Sequence, residues 1–73
     1  MILYTTVGCH LCEQAADLLH RINHPYIATE IGDDDSLVAQ YGIRIPVIAS
    51  DNGNTLDWPF NQSDLIQFIS ENA

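Results

Sequence analysis

The stretch TTVGCHLCEQAADLL, residues 5–19, holds both cysteines of the chain, Cys9 and Cys12. β-Branched and aromatic residues lead into it, since Ile2–Thr6 reads ILYTT and suits a strand. Gly8 breaks that pattern. From Cys9 or His10 to about Ile22 the chain reads as a helix: Ala15, Leu18, Leu19 and Ile22 recur at i, i+3, i+4 and i+7, one buried stripe. The cysteine pair is therefore expected after a strand and at a helix start.

Working outward, NHP at 23–25 ends the helix, because the residue before Pro25 disfavours helical angles. YIATEI, 26–31, reads as a second strand. GDDDS then forms a turn and a helix start, where Asp33–Asp35 complement the helix dipole as caps. Leu37, Val38 and Tyr41 make the apolar face of a short helix that Gly42 is placed to end. PVIAS, 46–50, is a third strand and TLDW a short fourth, joined by DNGN as a two-residue Asn-Gly hairpin turn. Asn61 caps a last helix, with Asp64 three residues on and Leu65, Phe68 and Ile69 as its stripe. The order is β-α-β-α-β-β-α: an α/β fold with a four-stranded mixed sheet flanked by three helices. The βα crossovers are expected to join parallel strands and the hairpin antiparallel ones. Trp58 and Phe60 read as a cover over the core edge, with Trp58 as a candidate lining of a substrate groove.

Length and charge narrow the function. With 73 residues the chain is one domain, 1–73, and 47% hydrophobic residues suffice for one core. Ten acidic residues face two arginines and no lysine, for a net charge of -8. Phosphate binding needs clustered basic residues, so nucleic acid is not an expected partner. No apolar run approaches the roughly 20 residues of a membrane span, and MILY enters a strand with no basic leader region. A cytoplasmic protein, monomeric and without a membrane partner, is the expectation. In a reducing compartment a close cysteine pair is more often catalytic or metal-binding than structural.

Three roles compete for Cys9 and Cys12. A structural staple would close a very small ring, and crosslinks stabilise more as loops lengthen. A zinc site could draw on His20 and His24. Only seven residues separate Cys12 from His20, however. On one helix the two would lie roughly 12 Å apart along the axis, whereas zinc holds ligands at about 2.0–2.3 Å. Redox chemistry fits the placement. A thiolate is the reactive form, and the free N–H groups of a helix N-terminus stabilise an anion. Cys9 is then the attacking thiol and Cys12, one turn on, the more buried resolving thiol. His10 is a candidate to favour the thiolate when protonated, or else a solvated spacer.

LYTTVGCHLCEQA, YGIRIPVI about 30 residues later and LDWPF…DLIQFI together resemble the thioredoxin-fold superfamily, and within it the small bacterial glutaredoxin-like proteins. The resemblance covers nearly the whole chain. It implies a thiol–disulfide oxidoreductase that acts on a protein or glutathione disulfide. No tightly bound cofactor is implied, and electrons would come from glutathione or a thioredoxin-reductase-type donor. It implies a cis peptide at Pro46 beside the active disulfide, and Ile45 backbone groups offered to an extended substrate. Iron–sulfur carriage and a redox-inert binding module are the other functions known on this fold. Three features depart from the glutathione-using pattern: Thr6 and Val7 stand where a basic residue is usual, Arg44 where Thr is usual, and WPFNQSD where Gly-Gly is usual. Arg44 is accordingly a candidate carboxylate anchor beside Cys9; its rival role is a surface salt bridge.

Overall fold

The computed structural model describes residues 1–72, so the last residue of the expected 1–73 domain lies outside the described residues. The chain forms β1 (Ile2–Thr5), α1 (His10–Arg21), β2 (Ile27–Glu30), α2 (Asp35–Tyr41), β3 (Val47–Ala49), β4 (Thr55–Asp57) and α3 (Gln62–Glu71). The strands make one mixed sheet in the order β2-β1-β3-β4.

Side-chain alternation along β1 and β3 divides the core. Leu3 pairs with Ile48 and Tyr4 with Val47 across the antiparallel ladder. Leu3 and Ile48 face one side, where they pack with Ala15 and Leu19 of α1 and with Phe60 and Leu65. Val47 faces the other side, with Ile31, Tyr41 and half-buried Tyr4, Leu37 and Ile45. Strand period 2 therefore puts α1 and α3 on one face and α2 on the other. Tyr4 and Tyr41 stack at 4.3 Å between ring centroids.

One expected connection is corrected. β1 and β2 are parallel, as a βα crossover implies, but β3 runs antiparallel to β1. The β2-to-β3 connection therefore starts and ends at the same end of the sheet. α2, with seven residues, spans only about 10 Å and runs over the face without returning the chain to the start of β2. This delivers Ile45 and Pro46 to the sheet end where β1 also finishes.

Local signals decide the ends of the helices. Asn23 takes the left-handed conformation, φ 54°. The His24 and Asn23 N–H groups donate to the Leu19 and His20 carbonyls, the bond pair of a Schellman stop. Asn23, ahead of Pro25, thus terminates α1. Of the three aspartates, Asp34 is the cap of α2, accepting from the Ser36 and Leu37 N–H groups. α3 opens with a reciprocal box: Asn61 accepts from Asp64 N–H at 2.8 Å and Asp64 accepts from Asn61 N–H at 3.1 Å. Replacing Asn61 with Ala is expected to cost about 0.5–2 kcal/mol, measured by denaturant unfolding.

The hairpin differs from expectation by one residue. Ala49 pairs with Thr55, and Ser50 N–H donates to Asn54 O while Gly53 N–H donates to Ser50 O. The loop is Asp51–Gly53, three residues, with only Gly53 at positive φ (92°). A turn followed by a left-handed glycine is the three-residue alternative to the paired Asn-Gly turn; the β3–β4 register selects it.

Candidate active site

β1 ends at Thr5, and Gly8 turns the chain with φ 78°, an angle costly for any residue bearing a Cβ. Cys9 follows as the N-cap of α1, in extended conformation. Its Sγ accepts the Cys12 N–H at 3.1 Å. The two cysteines form a disulfide with Cα atoms 5.2 Å apart. Cys12 is 3% exposed, whereas Cys9 is only half-buried. At the helix N-terminus Cys9 thus keeps part of its surface in solvent, whereas Cys12 keeps almost none. A cavity of about 270 Å³ opens beside the pair, walled by Leu3, Thr6, Val7, Glu13 and Tyr26.

A residue that sequence reading missed holds this turn. Glu30, at the end of β2, pairs in register with Thr5. Its carboxylate accepts the Val7 N–H at 2.9 Å and the Gly32 N–H at 2.6 Å. Those bonds, led by Gly32 and reinforced by the Thr6 hydroxyl and the Val7 N–H, hold the Glu30 carboxyl below the usual carboxylate range. A depressed carboxyl contributes stability that is full above its unfolded-state pKa, about 4.3, and is lost as pH falls through its folded value. The thermal midpoint of Glu30→Gln is therefore expected to fall less steeply than that of the parent chain between roughly pH 5 and pH 3; equal slopes would contradict this role. A glutamate two residues before a glycine is the only local signal. Strand pairing is what aims it at the cysteine turn.

The remaining expected site residues lie as follows. His10 is 91% exposed, its Nδ1 3.6 Å from Glu13 Oε2, and it does not wall the cavity. Arg44 is corrected. Its guanidinium grips Asp57 bidentately, Nε to Oδ2 and Nη2 to Oδ1, both 2.8 Å. It lies 5.2 Å above the Tyr41 ring centroid. The salt bridge, its rival role, is the contact formed, and the Arg44 hydrogen bonds hold the Asp57 carboxyl below its ordinary range. The Ile45–Pro46 peptide is cis, as is Trp58–Pro59. Continuing the Tyr4–Val47 register sets Pro46 opposite Thr5, at the sheet end from which the cysteine turn leaves. The Ile45 N–H donates to Tyr41 O at 3.0 Å.

Of the other weighed residues, His20 Nε2 bonds the Tyr26 hydroxyl at 2.9 Å, on a helix that runs unbroken from His10 to Arg21. Phe60 is buried, and Trp58 meets it edge-on at 5.0 Å. Trp58 also walls a second cavity, with Arg21 and Asp17, away from Cys9.

Comparison with known proteins agrees with this geometry. The model of the Glutaredoxin-like domain (DUF836) matches residues 1–70. The chain belongs to that family. Among solved structures, the X-ray structure of Northeast Structural Genomics target protein XcR50 from X. campestris superposes on this glutaredoxin-like chain with a TM-score of 0.93. It is 34% identical, over 99% of this chain and 97% of that one. The solution structure of the same target gives a TM-score of 0.90 at 34% identity, over 99% and 94% of the two chains. No curated protein matches. The fold is thus the thioredoxin-like one, and a glutaredoxin-like domain with a bonded Cys9–Cys12 pair points to redox-type function. Among the described residues, no helix is long and apolar enough to cross a membrane.

Proposed function

We propose that this glutaredoxin-like domain is a thiol–disulfide oxidoreductase that cycles between a Cys9/Cys12 dithiol and their disulfide. The observation that carries the reading is the asymmetry of the pair: a half-buried Cys9 at the α1 N-terminus, its sulfur accepting the Cys12 N–H, next to a buried Cys12. The helix end favours the Cys9 thiolate.

In the reductive direction, Cys9 thiolate attacks one sulfur of a substrate disulfide. The substrate S–S bond breaks, a mixed disulfide forms and the departing thiolate takes up a proton. Cys12, deprotonated as it attacks, then displaces the second substrate thiolate from Cys9, and that too is protonated. Two electrons pass from the dithiol to the substrate, leaving one disulfide in the protein. A thiol reductant, glutathione or a thioredoxin-reductase-type donor, resets the pair. No tightly bound cofactor enters the cycle. A monomer in the cytoplasm, where such donors keep thiols reduced, completes the reading.

Replacing Cys12 with Ser should stop the cycle after its first half. Mass spectrometry of Cys12→Ser incubated with a disulfide is expected to show a stable adduct on Cys9, whereas the parent chain shows internal disulfide and no adduct. Absence of any adduct in the variant would count against the two roles.

A further inference from the structure

We propose that the surface around Cys9 docks a protein disulfide flanked by apolar and basic residues, in preference to oxidised glutathione. This rests on the thiol–disulfide reading and names the substrate class of the same site.

Two observations carry it. The first is apolar exposure on the segments that frame Cys9. Val7, on the cavity wall beside Cys9, is 90% exposed. Leu11, between the cysteines on the first turn of α1, is 45% exposed. Ile43 is fully exposed on the connection that brings Ile45 and Pro46 to the end of β1. Single exposed apolar residues are ordinary, but Val7 and Leu11 flank Cys9 in the chain and Ile43 lies on the connection to Pro46, at the same end of the sheet, so the apolar side chains open to a partner gather at the cysteine end.

The second is charge. Glu13 walls the cavity and the Glu30 carboxylate sits on the Val7 N–H. Neither arginine offsets them. Arg44 is held by Asp57, and Arg21 closes α1, twelve residues from Cys9, roughly 18 Å along the axis. His10 faces Glu13. The whole chain carries -8. Oxidised glutathione is a net anion, so its approach is opposed, while a basic segment is steered in. The Ile45 N–H is bonded to Tyr41 O, so apolar side-chain burial joins the Ile45 carbonyl in holding the docked segment.

The test compares initial rates of the reduced protein with four disulfides: oxidised glutathione, neutral bis(2-hydroxyethyl) disulfide, and two peptides carrying the same disulfide flanked by Leu/Lys or by Gly/Glu. The Leu/Lys peptide is expected to exceed both oxidised glutathione and the Gly/Glu peptide at least tenfold in kcat/KM. Ile43→Ser and Val7→Ser should each lower the Leu/Lys to Gly/Glu ratio several-fold, and Val7→Lys should raise the rate with glutathione disulfide. Equal rates for the two peptides, a preference for glutathione disulfide, or a ratio unmoved in both serine variants would overturn the docking proposal while reduction of the neutral disulfide upholds the oxidoreductase. Failure to reduce even the neutral disulfide overturns both.

Discussion

Replacing Cys9 with Ser is expected to abolish disulfide reduction, by at least roughly a thousandfold, about 4 kcal/mol on the barrier. The size follows from the chemistry at this position. A serine hydroxyl at neutral pH is not ionised and does not displace sulfur, whereas a cysteine at a helix N-terminus supplies thiolate. Cys12 cannot take over, because it is only 3% exposed. The variant should stay folded, since Ser is itself a strong N-cap and can accept the Cys12 N–H that Cys9 Sγ accepts at 3.1 Å. Circular dichroism alongside the rate assay separates lost chemistry from lost structure. A folded Cys9→Ser protein that still reduces disulfides would remove Cys9 from the mechanism.

The second large effect is on folding. Leu19→Ala is expected to destabilise the domain by about 2–5 kcal/mol. Leu19 is fully buried among Leu3, Ala15, Ile48, Phe60 and Leu65, so truncation leaves a hole bounded by α1, the sheet and α3. A chain of 73 residues has a total stability of only about 4–11 kcal/mol, so this single change approaches the whole. Each kcal/mol should lower the thermal midpoint by about 4–8 °C. Ile66→Ala, on the same fold but 49% exposed, should change stability by no more than roughly 0.5 kcal/mol. Similar losses for both would mean that the core is not where the alternation of β1 and β3 puts it.

The parts of this fold that sequence exposed are the parts built from local periodicity. The stripe of α1, the capping box Asn61–Asp64 and the glycine before Cys9 each depend on residues a few positions apart. So does the placement of Cys9 at a helix start, which is most of the candidate site. What escaped depends on pairing between distant strands. The sequence does not display that β3 runs antiparallel to β1, and that pairing is what brings Pro46 to the cysteine end. Glu30 acquires its role only once β2 lies beside β1. A salt bridge for Arg44 is legible as an option but its partner is not, because Asp57, thirteen residues away, comes within reach only through the β3–β4 ladder. The Ile45 N–H was lost to Tyr41 for a related reason, the tight exit from α2. The hairpin followed the same rule: Asn-Gly is a local signal, but register set the loop at three residues.

The most direct test of the redox cycle is an equilibrium titration of the Cys9–Cys12 pair against thiol–disulfide buffers of graded potential, with thiols trapped and counted by mass. A single two-electron transition is expected, between dithiol and internal disulfide, at a potential within about -270 to -120 mV. A pair that stays fully reduced or fully oxidised across that window, or that accumulates only mixed adducts, would contradict a cycling Cys9–Cys12 centre.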